Sequence, residues 1–274
     1  MSTLYLVATP IGNLGDITVR ALDTLRECDF IAAEDTRVTL KLLNHFEIKK
    51  PLVSYHEHNC REMGPKVLAR IQSGETCALV TDAGMPAISD PGRDLVALCH
   101  DAGVPVRVIP GASAVVSAVA LSGLDGARFC FEGFLPSASK ERRDRLSALA
   151  TETRAAVVYE APHRLQKTLS DLSDALGGTR RIAVCRELTK LHEETFVTTL
   201  AEAVAKYEAD PPKGEFALVI EGAAATSDEL SPDDAIAAAR RFIEQGMSAS
   251  EAAKRAASMS GLSKGEIYRE LIRS

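Results

Sequence analysis

Along the first half of the chain one unit recurs: a short apolar run, a loop of unusual composition, then a helical pattern. Residues 5–8 lead into 9–16 (TPIGNLGD), after which Thr18 can cap a helix to about Glu27. Residues 30–33 lead into Glu34, Asp35, Thr36 and Arg37 and a helix to about His45, and residues 52–55 lead into 56–59 (HEHN). Residues 77–80 run into a loop over 81–89; Asp90 then reads as an N-cap with Pro91 at the first helical position, and Gly103 stops that helix after Ala102. Residues 106–109 end in Pro110 and Gly111, and Ser113 caps a helix to Ser122. Strands joined through helices pair in parallel with right-handed crossovers, and in such open sheets ligands bind beyond the carboxyl ends of the strands. Each unusual loop falls at such an end.

The densest of these ends is 79–92 (LVTDAGMPAISDPG). Asp82, Gly84 and Pro86 crowd one loop, so the backbone turns tightly and can approach a ligand closely. An ordinary strand-to-helix turn fits the same residues, and it is the recurrence at successive strand ends that favours a ligand cradle.

The second half changes pattern. Strands are expected at 155–159, ending in EAPHR (160–164), at 182–185, ending in RELTK (186–190), at 196–198, and at 216–221, entered through PPKGE (211–215). This divides the chain into a parallel-sheet α/β domain (1–131), a linker (132–139), a mixed-sheet α/β domain (140–226) and a helical, helix-turn-helix-like tail (231–274). In the tail, Ser231 with Pro232, Ser248 with Glu251 and Ser263 with Glu266 mark helix starts, the last two as capping boxes, with Gly246 and Gly261 between the helices. RNA contact and a purely structural brace both fit it.

A hydrophobic share of 46% and a charged share of 26% are those of a globular chain. The start lacks a basic, leader-like region, and the weakly polar run 110–124 is too short to span a bilayer, so a cytoplasmic location is expected. Six cysteines without a C-x-x-C pair argue against a disulfide framework or zinc site. The net charge of −6 argues against indiscriminate nucleic-acid binding and leaves local patches, the densest being Lys140, Arg142, Arg143 and Arg145 on one predicted helix. Glu141 and Asp144 interleave there, so a solvated, ion-paired helix fits equally. The dinucleotide fingerprint, the Walker loop and the nucleophile elbow are all missing from the sequence. His56 and His58 would face the same way on a strand, but no third ligand follows at a usual spacing, and no metal is expected.

Asp35, Asp82, Glu160 and Lys190 each sit just past a predicted strand. With Arg37, Arg164 and Arg186 they would make a cleft of mixed charge, suited to a zwitterionic cofactor and a phosphate-bearing substrate.

VATPIGNLGDIT (7–18), AEDTR (33–37), SYHEHN (54–59), TDAGMPAISDPG (81–92), IPGASA (109–114), FEGFLP (131–136), YEAPHR (159–164) and RELTK (186–190) together carry a resemblance. They closely resemble the ribosomal-RNA-modifying branch of the tetrapyrrole methylase superfamily, the class III S-adenosylmethionine methyltransferases, over about residues 4–222. Met85 and Ala87 depart from that pattern, which leads one to expect Thr and Leu. The resemblance implies two α/β domains of that type, a homodimer, and S-adenosylmethionine held in the cleft between the domains. It further implies 2′-O-methylation of a cytidine ribose in the decoding region of 16S rRNA, within the small ribosomal subunit. Carried over residue by residue, it assigns cofactor contacts to Pro10, to Asp82, Ala83, Gly84 and Met85, to Ser113 and Ala114, and to Ala161 and Lys213.

A ribose hydroxyl is a poor nucleophile, so methyl transfer needs an in-line oxygen and a group that takes its proton. Candidate bases are Glu34, Asp35, His56 and Glu160, while Arg37 and Lys190 could hold phosphate or stabilise a developing oxyanion. The sequence does not rank them, and positioning alone can supply much of the acceleration. Two other readings stay open: methylation of a small tetrapyrrole by the same fold, and a non-catalytic cofactor- or RNA-binding module.

Overall fold

A computed structural model describes residues 2–210, 212–224, 232–258, 260 and 262–272. The first sheet is built from β1 (Leu4–Val7), β2 (Phe30–Ala33), β3 (Leu52–Ser54), β4 (Cys77–Val80) and β5 (Val106–Ile109), all parallel, in the order β3-β2-β4-β1-β5. β2 (FIAA) and β4 (CALV) are buried at every position, which is why both read as unbroken apolar runs. Helices α1 (Val19–Glu27) and α2 (Thr36–His45) cover one face through Ala21, Leu25 and Leu43. Helices α3 (Cys60–Gln72) and α4 (Arg93–Asp101) cover the other through Val67, Ile71, Leu95 and Cys99. Thr18 caps α1 and Asp35 caps α2, each accepting a main-chain N–H.

β1 and β4 are neighbours whose connections leave in opposite directions, β1 through α1 to β2 and β4 through α4 to β5. The carboxyl ends of these two strands therefore form the crevice of the sheet. α5 (Ala114–Ser122) leaves β5 and packs its fully buried Ala118 on a second sheet, among Val157, Ala183 and Cys185.

That sheet comprises β6 (Phe129–Phe134), β7 (Ala155–Glu160), β8 (Arg181–Arg186), β9 (Glu194–Thr199) and β10 (Phe216–Ile220), in the order β6-β7-β10-β8-β9. Only β6 and β7 are parallel, so the sheet is mixed as expected. Helices α6 (Ser139–Thr151), α7 (Pro162–Leu176) and α8 (Leu200–Ala209) close its outer face over Val158, Val184 and Leu218.

One helix is added to the expected set and three expectations are corrected. Helix α3 escaped the sequence pattern because Gly64 and Pro65 interrupt it; Gly64 lets α4 approach, since a Cβ there would lie 3.0 Å from Leu98 Cδ1. β6 runs to Phe134, through a register shift between Phe131 and Gly133 that broke the apolar run, so 132–134 are strand and not linker, and 129–131, expected in the first domain, pair in the second sheet. The expected linker also stops short of 139, since Ser139 is the first residue of α6 and Ala138 precedes it with no side-chain cap bond. α4 begins at Arg93 with Gly92 as N-cap, so Asp90 and Pro91 lie in the loop.

Residues 1–222 form one compact unit and 223–274 another. In the second unit α9 (Pro232–Glu244), α10 (Ala249–Ala257) and α11 (Lys264–Ile272) pack on Ala235, Ala239, Ala253, Ala256 and Ile267. Ser248 with Glu251 and Ser263 with Glu266 make the two capping boxes, each side chain bonding the other residue's amide. The expected helix start at Ser231 and the spacer Gly261 lie outside the described residues. No helix among the described residues is long and apolar enough to cross a membrane.

Candidate active site

The loops after β1 and β4 are stitched together at the crevice. Thr9 N–H donates to Gly84 O at 2.9 Å and Gly84 N–H to Thr9 O at 3.1 Å, while the Thr9 hydroxyl donates to Thr81 O at 3.1 Å. Gly84 has φ +84, and a Cβ on it would meet Ile11 Cγ2 at 3.3 Å, so this position requires glycine.

Above the stitched loops lies a cavity of about 470 Å³, between the carboxyl ends of the first sheet and the second sheet. Asp82, Ala83, Gly84, Met85, Ser113 and Ala114 line its first-sheet side. Ala161, Leu188 and Lys190 line the opposite side. Phe131, Phe134 and Tyr159 form an aromatic wall, with both phenylalanine rings edge-on to Tyr159 at 4.9 and 5.9 Å.

Glu34, Asp82 and Asp90 put three carboxylates on the first-sheet side of the cavity. Glu34 Oε2 accepts from the Thr81 hydroxyl at 2.5 Å and from the Asp82 amide at 3.3 Å. Asp82 Oδ1 accepts from the Asp35 amide at 3.1 Å, and partial burial followed by the Glu34 charge raises its pKa. Burial, then Glu34 and Asp82, push Asp90 up to about 6, opposed by the Thr81 hydroxyl. Tyr159 is held up at about 12 by burial, with the Asp90 charge adding to it.

On the far wall, Lys190 Nζ donates to Glu187 Oε1 and Glu215 Oε2, both at 2.8 Å. Burial works against its charge, but these two carboxylates prevail and raise its pKa, so it stays an ammonium. Its stem packs on the β1 loop, where a Cβ on Gly12 would lie 2.5 Å from Lys190 Cγ.

The remaining expected residues lie apart from the cavity lining or are held otherwise. Glu160 borders the cavity but is only 1% exposed, and its side chain shares the face of Ala156 and Val158. There its carboxylate accepts from the Ala161 amide at 3.0 Å, Thr168 Oγ1 at 2.6 Å and Arg164 Nε at 3.3 Å. A carboxylate so committed is a structural anchor, not a base for a ligand in the cavity. Asp35 lies behind Asp82, paired with Arg37 at 2.6 Å, whose hydrogen bonds hold the Asp35 carboxyl well below the usual range. The Arg37 side chain is 86% exposed.

Pro10 falls between the stitched Thr9 and the lining residue Ile11. Lys213 presents its carbonyl to Arg186 Nε at 2.6 Å and is not part of the lining. The His56 amide donates to Asn59 Oδ1 at 2.9 Å, and its Nδ1 is buried without a partner, away from the cavity. His56 and His58 have ring centroids 5.9 Å apart; among the described residues no group of three or more His, Cys, Asp or Glu could hold a metal ion.

The basic patch of α6 also resolves differently. Arg142 is buried, donating to Asp171 at 2.6 Å, Thr168 Oγ1 at 2.8 Å and Pro136 O at 3.2 Å, and Arg145 pairs with Glu132. Sequence reasoning missed Asp90, Thr81 and the aromatic wall as site residues. For Asp90 the one signal was the glycine after Pro91, which can start the helix in its place.

Residues 3–204 match the family model of Tetrapyrrole (Corrin/Porphyrin) Methylases. The "Ribosomal RNA small subunit methyltransferase I" of Synechocystis sp. is 48% identical over 269 residues, 98% of this chain and 96% of that relative. The protein of the same name from Thermotoga maritima is 49% identical over 222 residues, 81% of this chain and 99% of its own length. Among solved structures, diphthine synthase superposes with a TM-score of 0.63 at 16% identity, covering 80% of this chain and 89% of that one. Uroporphyrin-III C-methyltransferase from Thermus thermophilus, complexed with S-adenosyl homocysteine, gives 0.56 at 19% identity, covering 79% and 96%. At these identities the structures share the fold.

Proposed function

The chain belongs to the tetrapyrrole methylase family, and from that premise we propose that it transfers the methyl group of S-adenosylmethionine to the 2′-hydroxyl of a cytidine ribose in the decoding region of 16S rRNA. The observation that carries this reading is the 48% identity with the Synechocystis ribosomal RNA small subunit methyltransferase I across nearly the whole of both chains. The solved tetrapyrrole methyltransferases, at 18–20% identity, give the alternative substrate no comparable support.

The cavity residues fit the cofactor. A volume of about 470 Å³ is that of a small-molecule site. When bound, S-adenosylmethionine supplies an electrophilic methyl on a positively charged sulfur. The Glu34, Asp82 and Asp90 carboxylates would attract that charge, while Phe131, Phe134 and Tyr159 offer flat apolar surface to a base. The stitched loops fix the backbone of Asp82 to Met85, and Ser113 and Ala114 open α5 beside it. Lys190 keeps its ammonium on the far wall, and the exposed Arg37 guanidinium can turn to a backbone phosphate beside Asp82.

The proposal extends to one domain per sheet closing on this cavity, a homodimer, the small ribosomal subunit as substrate and the cytoplasm as location. Calorimetry with S-adenosylhomocysteine, together with radiolabel transfer to under-methylated small subunits against a corrinoid precursor, tests it. The reading requires binding and label in RNA; label in the corrinoid alone would replace it.

A further inference from the structure

We propose that Asp90 is the group that takes the proton of the acceptor hydroxyl during methyl transfer, with Glu34 and Asp82 holding it ready. This rests on the methyl-transfer reading above and adds a catalytic residue to it.

The first argument is by elimination among the acidic groups that border the cavity. Glu160 is committed to Thr168, Arg164 and the Ala161 amide on the other face of its sheet. Glu34 is engaged by the Thr81 hydroxyl and the Asp82 amide, and Asp82 by the Asp35 amide. Glu215 is the partner of Lys190. Asp90 has the Thr81 hydroxyl as its hydrogen-bonding neighbour and shares it with Glu34. Asp90 holds no main-chain amide, as Glu34 and Asp82 do, and is thus the least committed of the lining carboxylates.

The second argument is the fold of the loop. A Ser-Asp-Pro-Gly sequence ahead of a helix would ordinarily put the aspartate on the helix amides. Here the helix starts after Gly92, whose φ of +137 and tight contact with Leu79 set the chain direction, and Ala87 stands in the left-handed region at φ +66. A non-glycine residue in that region costs energy that the surrounding structure must hold in place. The result of this folding is that Asp90 lines the cavity and leaves the helix terminus uncapped by its side chain.

The third is electrostatic. Asp90 is faced by Glu34 from the end of β2, by Asp82 and the Thr81 hydroxyl from the end of β4, and by the Tyr159 phenol from β7. Lys190 and Glu215 line the far wall as a mutual pair, and Arg37 is paired with Asp35. Like charges and burial therefore outweigh the cations, and a carboxyl titrating near 6 accepts a proton near neutral pH better than an ordinary one. In the step itself, the hydroxyl oxygen forms the new C–O bond with a lone pair. The methyl C–S bond breaks with its electron pair remaining on sulfur, and the O–H proton passes to the Asp90 carboxylate.

The test uses the full-length protein as wild type, Asp90→Asn and Asp90→Glu. Methyl transfer to under-methylated small subunits is followed from pH 5 to 9, S-adenosylhomocysteine affinity by calorimetry, and aspartate carboxyl titration by carbon-13 NMR without substrate. The wild-type kcat should rise about tenfold per pH unit below about 6 and level off above it. Asp90→Asn should lower kcat by about 100-fold or more and remove that limb, with affinity within about threefold, and Asp90→Glu should restore part of the rate. The carboxyl resonance titrating near 6 should vanish in Asp90→Asn. A folded Asp90→Asn variant with kcat within tenfold of wild type, or with that resonance intact, would overturn the assignment. A wild-type protein that labels no RNA would instead remove the functional reading, and the assignment with it.

Discussion

Replacing Arg142 by Met tests whether the first strong cation cluster of the second half serves the fold or the surface. The Arg142 side chain is 7% exposed and makes three hydrogen bonds, to Asp171, Thr168 and the Pro136 carbonyl. Thr168 in turn donates to Glu160, which holds the Ala161 amide at the cavity edge. A hydrogen bond to a charged group contributes about 1.5–3 kcal/mol and a neutral one about 1. Asp171 keeps Lys167 at 3.0 Å and is 22% exposed, so water and lysine offset part of the loss, and Met fills most of the stem volume. The sum is about 3 kcal/mol, at the lower end of the roughly 3–5 seen when one partner of a buried pair is removed. For a unit of about this size that is a fall in Tm of about 6–12 °C. Urea denaturation followed by circular dichroism gives the stability change, with the double variant Lys140→Ala, Arg143→Ala as the exposed control, expected within about 0.5 kcal/mol of wild type. An Arg142→Met protein as stable as the control would refute the account of this network.

Three further outcomes follow from the site. Asp82→Ala should weaken S-adenosylmethionine binding about tenfold or more, from a lost charge-assisted hydrogen bond of roughly 1.5–3 kcal/mol; unchanged calorimetric affinity in a folded variant would contradict it. Asp90 ionises near 3.9 when unfolded and near 6 when folded, so the folded state retains a proton that the unfolded chain has lost and stability declines as pH rises through that window. Asp90→Asn should therefore be more stable than wild type at pH 8, by about 1–2 kcal/mol after allowing for its partial exposure, and the gain should shrink toward pH 4; a constant difference would remove the argument. Gly92→Ala should lose about 2–3 kcal/mol, because φ is +137 and the new Cβ would lie 2.6 Å from Leu79 Cδ2; denaturation curves superposing on wild type would contradict it.

The parallel sheet was legible because β2 and β4 are buried on both faces and so carry no polar residue to confuse the pattern. The tight turn after β4 was legible for a related reason, since a positive φ and the packing of Ile11 select Gly84. Long-range partners were not legible. Glu160 and Asp90 both stand near strand ends and look alike in sequence, yet the alternation of β7 turns one toward Thr168 and Arg164, while a left-handed loop turns the other into the cavity. Arg142 looked like a surface cation among Lys140, Arg143 and Arg145, because α6 has no clear apolar stripe and its partner Asp171 lies on the next helix. Helix α3 was hidden by Pro65, which breaks local propensity although packing of Val67 and Ile71 restores the helix.

The central claim, methyl transfer to a ribose oxygen of ribosomal RNA, is tested most directly by incubating the protein with radiolabelled S-adenosylmethionine and under-methylated small subunits, then hydrolysing the recovered 16S rRNA in alkali. A methylated 2′-oxygen cannot attack its neighbouring phosphate, so the label should survive in a single alkali-resistant dinucleotide that begins with cytidine. Label released in mononucleotides, or found outside 16S rRNA, would contradict the claim.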